Sequence, residues 1–243
     1  MEFSIRRVNA LFKKEIKDFG KNVNVSIMCI LPIIICFLYS KLMKKDISAN
    51  PMVNVQILTV CIGLNISLIA TFIMGMLIAE EKEKNTLRTL MLSALSPLEF
   101  LAGKALISFV VTEVVNVVLF FIVGMDIKYL GKYMIITTLV VLSMLLIGAV
   151  IGIISPNQMA TGVTGIPVMI IFYILPMFTK LNDIIKIIVE YLPNHNMNIM
   201  LEKMFNGEVL GTASVYSIAV ILIWIIIAGA LFMWTYNKRG LDK

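Results

Sequence analysis

Charge is scarce in this chain. Asp, Glu, Lys and Arg make up 15% of its 243 residues, against about 25% in soluble domains. So few charges cannot coat a water-soluble fold of this size. An ordinary soluble enzyme, a disordered chain and a nucleic-acid module are thereby excluded. Histidine occurs once, as His195, and no HExxH is present, so no metal site is expected; His195 reads as an ordinary interfacial histidine. Cys29, Cys36 and Cys61 all sit in apolar stretches and form no CxxC. They read as small core or lipid-facing residues rather than a disulfide framework. No GxxxxGK[ST] occurs, and Gly103-Lys104-Ala105 only echoes it, so the chain does not cradle ATP phosphates by that device. GxSxG is missing too. No cleavable signal peptide is expected, because the first 20 residues alternate charged and apolar groups without a small-residue cleavage site.

Apolar residues fill the space that charge leaves. They make up 59% of the chain, and the mean hydropathy is +0.94. Six apolar runs cover about 22–40, 54–79, 103–124, 133–154, 159–178 and 214–236, each long enough to cross a hydrocarbon core of about 30 Å. Six spans consume roughly 120 residues at about 20 each, which leaves no room for a separate catalytic domain. A closed β-barrel would show short alternating segments, which are missing. The expected fold is an all-α polytopic membrane protein. The net charge of +6 then belongs to lipid-facing flanks rather than to nucleic acid. With the N-terminus inside, 13 of the 21 Lys and Arg residues fall on the cytoplasmic side and 8 outside, so both termini are expected in the cytoplasm.

Three elements lie outside the spans. In residues 4–21, Ile5, Val8, Leu11, Phe12, Ile16 and Phe19 recur at helical spacing among basic residues, which predicts an amphipathic helix in the membrane interface. Residues 183–206 predict two short outer helices, the first stopped by Pro193, the second capped by Asn194 and ended by Asn206-Gly207. The loop 80–102 predicts a sequence of helix, break, short amphipathic helix, break and helix. Asn85 can take the left-handed conformation at the first break. Leu87, Leu90, Met91 and Leu95 share one face of the short helix. Ser96, Pro97 and Glu99 form a capping box with proline at the first helical position.

The run Glu80-Glu81-Lys82-Glu83-Lys84-Asn85-Thr86-Leu87-Arg88-Thr89-Leu90, followed by Leu95-Ser96-Pro97-Leu98-Glu99-Phe100-Leu101-Ala102-Gly103-Lys104, resembles that of ABC transporter permeases of the ABC-2 type. The six spans, N-terminal helix and outer re-entrant helices are similar to that family across nearly the whole chain. Members usually carry Gly where Asn85 stands and often an acidic residue where Arg88 stands. The resemblance implies a single permease domain over 1–243, paired with a second permease, the same or paralogous, and worked by two separate ATPase subunits. Those partners use ATP and Mg²⁺; this chain binds no cofactor and is not itself an enzyme. Coupling to the ATPase would rest on Glu80, Glu81, Glu83, Asn85, Thr86, Leu87, Arg88, Leu90 and Met91, with Arg6, Arg7, Phe12, Lys13 and Lys14 of the N-terminal helix. The implied function is export across a cell membrane, the expected cargo being an antimicrobial peptide, a drug or a similar amphipathic molecule; an immunity or sensor subunit, or sodium or lipid efflux, is the alternative.

Glu113 lies mid-span, and a carboxylate at that depth faces protein or water. Asn116 shares its face, and Asn65, Ser67 and Thr71 are candidate partners. The residues Glu113, Asn116 and Asn65 are either a pathway or gating group or a hydrogen-bonded lock between spans. Gly148 and Gly152 make a GxxxG, and Gly162, Gly165, Pro167 and Pro176 mark the fifth span; these suit close helix packing or a hinge. An intramembrane protease would need paired catalytic groups, and a secondary transporter more intramembrane charges and an internal repeat.

Overall fold

A computed structural model describes residues 4–43, 50, 52–86, 96–179, 181–208 and 211–239. All regular structure among them is helical, and six helices are long and apolar enough to cross a membrane. Helix α1 is Ile5–Phe19 and α2 is Val23–Leu42. Helix α3 runs unbroken over Met52–Glu83, α4 over Pro97–Val123, α5 over Leu130–Ile154 and α6 over Gln158–Phe178. Two shorter helices follow, α7 at Asp183–Val189 and α8 at Pro193–Phe205, before α9 at Thr212–Arg239.

Helix α3 is the axis of the bundle. Its most apolar stretch is 94% buried, against 17% for α2 and for α6. The reason lies in small residues at its crossing with α5. A Cβ added to Gly148 would sit 2.4 Å from the Thr71 carbonyl oxygen, and one added to Gly152 would sit 2.6 Å from that of Gly75. The GxxxG therefore brings two backbones into contact that any side chain would hold apart. Next to this crossing α3 widens into π turns over Ile66–Ile73, a local form that recurs at functional sites.

The last turns of α6 are irregular for a legible reason. Pro167 removes a backbone donor inside the helix, and the chain rewinds as π turns at Ile170–Ile174 and a 3₁₀ turn at Leu175–Phe178. The Phe172 carbonyl accepts a hydrogen bond from Asn194 Nδ2 at 2.9 Å. Asn194 thus does not cap the second short helix. Leu192 occupies the cap position and Pro193 opens the first turn, because proline at that position costs no hydrogen bond. Asn206 and Gly207 do end that helix, Gly207 at φ 74°. Helix α4 starts earlier than the apolar run alone predicts, at the capping box itself: Ser96 accepts from the Glu99 backbone N–H and Glu99 accepts from that of Ser96.

Candidate functional site

The helix ends beside the 86–96 connection are tied together by buried charge. Asn85 stands at φ 56°, the left-handed break that stops α3. One turn before it, Glu81 Oε1 lies 2.7 Å from Lys104 Nζ of α4 and 2.6 Å from Lys14 Nζ of α1. Lys104 also pairs with Glu15 of α1 at 2.7 Å. Thr86 donates to the second oxygen of Glu81 and to its carbonyl, so the start of the loop is fastened to the same cluster. Lys104 is 1% exposed and Glu15 and Glu81 are each 2% exposed. Charges this deep persist because each has a partner. Burial pushes the Glu15 carboxyl above its ordinary value against the opposing pull of Lys104. Burial pulls Lys14 down, but its hydrogen bond to Glu81 and their attraction hold it above the ordinary value.

The far end of the loop is held by the same helix. Glu99 of the capping box accepts from the Arg7 guanidinium at 2.7 Å and from the Ser4 backbone N–H at 2.5 Å. Helix α1 therefore clamps both ends of the 86–96 connection. Its seat is cut to shape at Gly103, where an added Cβ would lie 2.6 Å from Leu11 Cδ2. Two further bonds tie α3 to the α5–α6 turn: Lys82 Nζ donates to the Ile153 carbonyl at 2.7 Å, and Glu83 accepts from the Gln158 backbone N–H at 3.1 Å. Beside the loop, a cleft of about 360 Å³ opens between Asp18, Lys21, Asn22, Glu80 and Lys84.

The site residues expected from sequence divide into several groups. Glu81, Thr86, Arg7 and Lys14 enter the clamp, and Glu80 lines the cleft. Arg6, Lys13, Glu83 and Asn85 are exposed, and Phe12 packs against the core. Leu87, Arg88, Leu90 and Met91 lie outside the described residues. Sequence reasoning passed over Glu15 and Lys104 and saw Glu99 only as a cap. Glu15 sits between Leu11 and Phe19, and a lone carboxylate beside an apolar stripe was the available signal. The apolar face also turns out rotated: Val8, Leu11 and Glu15 are buried, while Ile5 and Ile16 are exposed.

Deeper in the bundle, Glu113 is 7% exposed. It accepts from Asn116 Nδ2 at 3.3 Å and from Thr138 Oγ1 of α5 at 3.1 Å. Asn65 of α3 donates to Asn116 Oδ1 at 2.9 Å and to the Thr112 carbonyl at 3.1 Å, and Tyr133 donates to the Asn116 carbonyl at 2.9 Å. One polar chain thus joins α3, α4 and α5. Asn65 enters it through Asn116 rather than by touching the carboxylate. Ser67 and Thr71 are buried with free hydroxyl oxygens and do not bond Glu113. Thr138 is the partner that spacing along one helix could not reveal.

Among the described residues no cluster of metal-ligating side chains occurs. No curated protein matches the chain. Residues 40–235 match the model of a family described as ABC-2 family transporter protein. The six apolar helices fit that match. This chain is a multi-pass membrane protein of the ABC-2 transporter family, a permease subunit of an ABC transporter.

Proposed function

We propose that the chain is the permease of an exporter, with both termini in the cytoplasm of a bacterial cell and two ATPase subunits docked at the 80–95 loop and α1. The observation that carries this reading is the clamp: both ends of the loop are ion-paired to α1, and they continue directly into α3 and α4. Force applied to the loop is then delivered to two spans and the interfacial helix together. ATP and Mg²⁺ act in the partner, whose closed pair favours one arrangement of the permease over the other. A second permease, the same or paralogous, would cover the sparsely buried α2 and α6 faces. The cavity of about 530 Å³ there, with Met28, Met76, Met159 and Phe72 in its lining, suits a flexible amphipathic cargo such as a peptide or drug.

The test is reconstitution with the ATPase in vesicles. Replacing residues 87–95 with a glycine-serine linker should abolish ATP-driven transport and loosen ATPase co-purification, while the permease stays in the membrane. Normal transport by that variant, or nucleotide hydrolysis by the purified permease alone, overturns the reading.

In the same assay Glu113→Gln should lower transport by on the order of tenfold and leave membrane abundance within about twofold. Glutamine keeps the shape and one oxygen to accept from Thr138, but its amide nitrogen cannot accept from Asn116 Nδ2 as the second carboxyl oxygen does. Intact transport in the variant would assign Glu113 to packing alone.

A further inference from the structure

We infer that the cavity at the end of the bundle remote from the termini binds a primary ammonium carried on an apolar chain. The cavity measures about 470 Å³ and lies between α3, α6 and α8, within the usual range for small-molecule sites. Asn194, Asn198 and Glu202 line its α8 wall, at intervals of four residues and so on one helical face. Asn194 is 3% exposed. Its Nδ2 end is committed to the Phe172 carbonyl, which fixes Oδ1 as the free end, and that oxygen is buried without a donor. Asn198 Oδ1 is buried without a donor as well. Two such oxygens about 6 Å apart along the helix lack the N–H groups that buried acceptors require.

The missing group must donate, and its charge is set by what surrounds it. Glu202 is exposed at the rim, and the described lining residues include no lysine, arginine or histidine. Thr59 donates to the Gln56 carbonyl at 3.0 Å, so the α3 wall offers its hydroxyl oxygen as an acceptor. Phe172 and Tyr173 supply apolar and aromatic surface on the third wall. A primary ammonium brings three donors and one positive charge. Its alkyl chain takes the aromatic wall, and Glu202 draws it in from the rim. A hydroxyl would leave Glu202 without a counter-charge, and a quaternary ammonium would leave both asparagine oxygens without donors. That the bound molecule is cargo rests on the export reading; the binding does not.

Isothermal titration of the full chain in phosphatidylcholine nanodiscs, with empty discs subtracted, tests this using hexylamine, hexanol and hexyltrimethylammonium. Hexylamine should bind saturably and at least about tenfold more tightly than the other two. Asn198→Leu and Glu202→Gln should each weaken hexylamine by about tenfold without changing the melting temperature. Asn194→Leu is the less useful variant because it also cuts the tie to Phe172. Repeating the titration in phosphatidylethanolamine discs separates the sources of the ammonium. Suppressed binding identifies the lipid headgroup as the natural ligand, and unchanged binding a free amphiphile; both support the site. Equal binding of hexanol, or hexylamine binding untouched by Asn198→Leu and Glu202→Gln, shows a water-filled cavity only and overturns it. The titration needs no ATPase, so a parent chain that binds hexylamine but shows no ATP-driven transport in the vesicle assay would sink the export reading and leave the site standing.

Discussion

Replacing Lys104 with methionine should destabilise the protein by about 3–5 kcal/mol, the cost of leaving a buried charge without its partner. The methionine fills nearly the same volume, so packing is kept and the charge alone is lost. Glu81 retains Lys14 at 2.6 Å and the Thr86 hydroxyl. Glu15 does not fare so well: its remaining cation is Lys14 at 3.9 Å. Burial already holds the Glu15 carboxyl above its ordinary value, and without Lys104 nothing comparable opposes that push. A carboxyl with a raised pKa in the folded state favours folding while protonated. This group's contribution should therefore be full below the unfolded glutamate value of about 4.5 and be lost as pH rises through the folded value, so the variant should be more stable in mild acid than at neutral pH. Thermal melts in detergent across that range check the direction. Adding Glu15→Gln should restore most of the lost stability at neutral pH, since the orphaned charge is gone. A Lys104→Met melt equal to that of the parent, flat with pH, would show that the cluster is solvated and that α1 is not held by it.

Gly148→Ala should lower the melting temperature by several degrees, through about 1–3 kcal/mol of overpacking. Alanine is otherwise the better helix former by about 0.8–1.0 kcal/mol, so propensity alone gives the opposite sign. Geometry decides, because the new methyl would stand 2.4 Å from the Thr71 carbonyl oxygen and 2.9 Å from the Thr71 Cα. Both are backbone atoms of the most buried span, which cannot yield without shifting α3. Gly131, in the first turn of the same helix α5, has nothing within 4 Å of an added Cβ. Gly131→Ala should therefore hold or raise the melting temperature. The pair isolates helix contact from helix propensity, and equal melts for the two variants would refute the tight α3–α5 crossing.

Much of the architecture was legible from composition and local chemistry. Length and hydropathy sufficed for the spans, because a lipid-facing helix must be apolar along its whole length. Asn85, Ser96, Pro97 and Glu99 announced the ends of α3 and α4, because capping is settled within three or four residues of chain. The Gly148 and Gly152 spacing announced close approach. It did not say that α3 would be the partner.

The sequence by itself determined that this protein is a bundle of six apolar helices with marked ends, for apolar length and capping act within one segment; the ABC-2 family came from the likeness of the 80–104 run and the match over 40–235. Only the tertiary structure decided that Glu15, Lys104 and Glu81 share one buried site, that Arg7 meets Glu99, and that Thr138 reaches Glu113. Those pairs come from different helices, more than 20 residues apart in the chain in every case. A charge beside an apolar stripe looks the same in sequence whether it faces water or a counter-charge. Which of the two it meets depends on how the helices pack, and the cost of an unpaired buried charge then holds that packing in place.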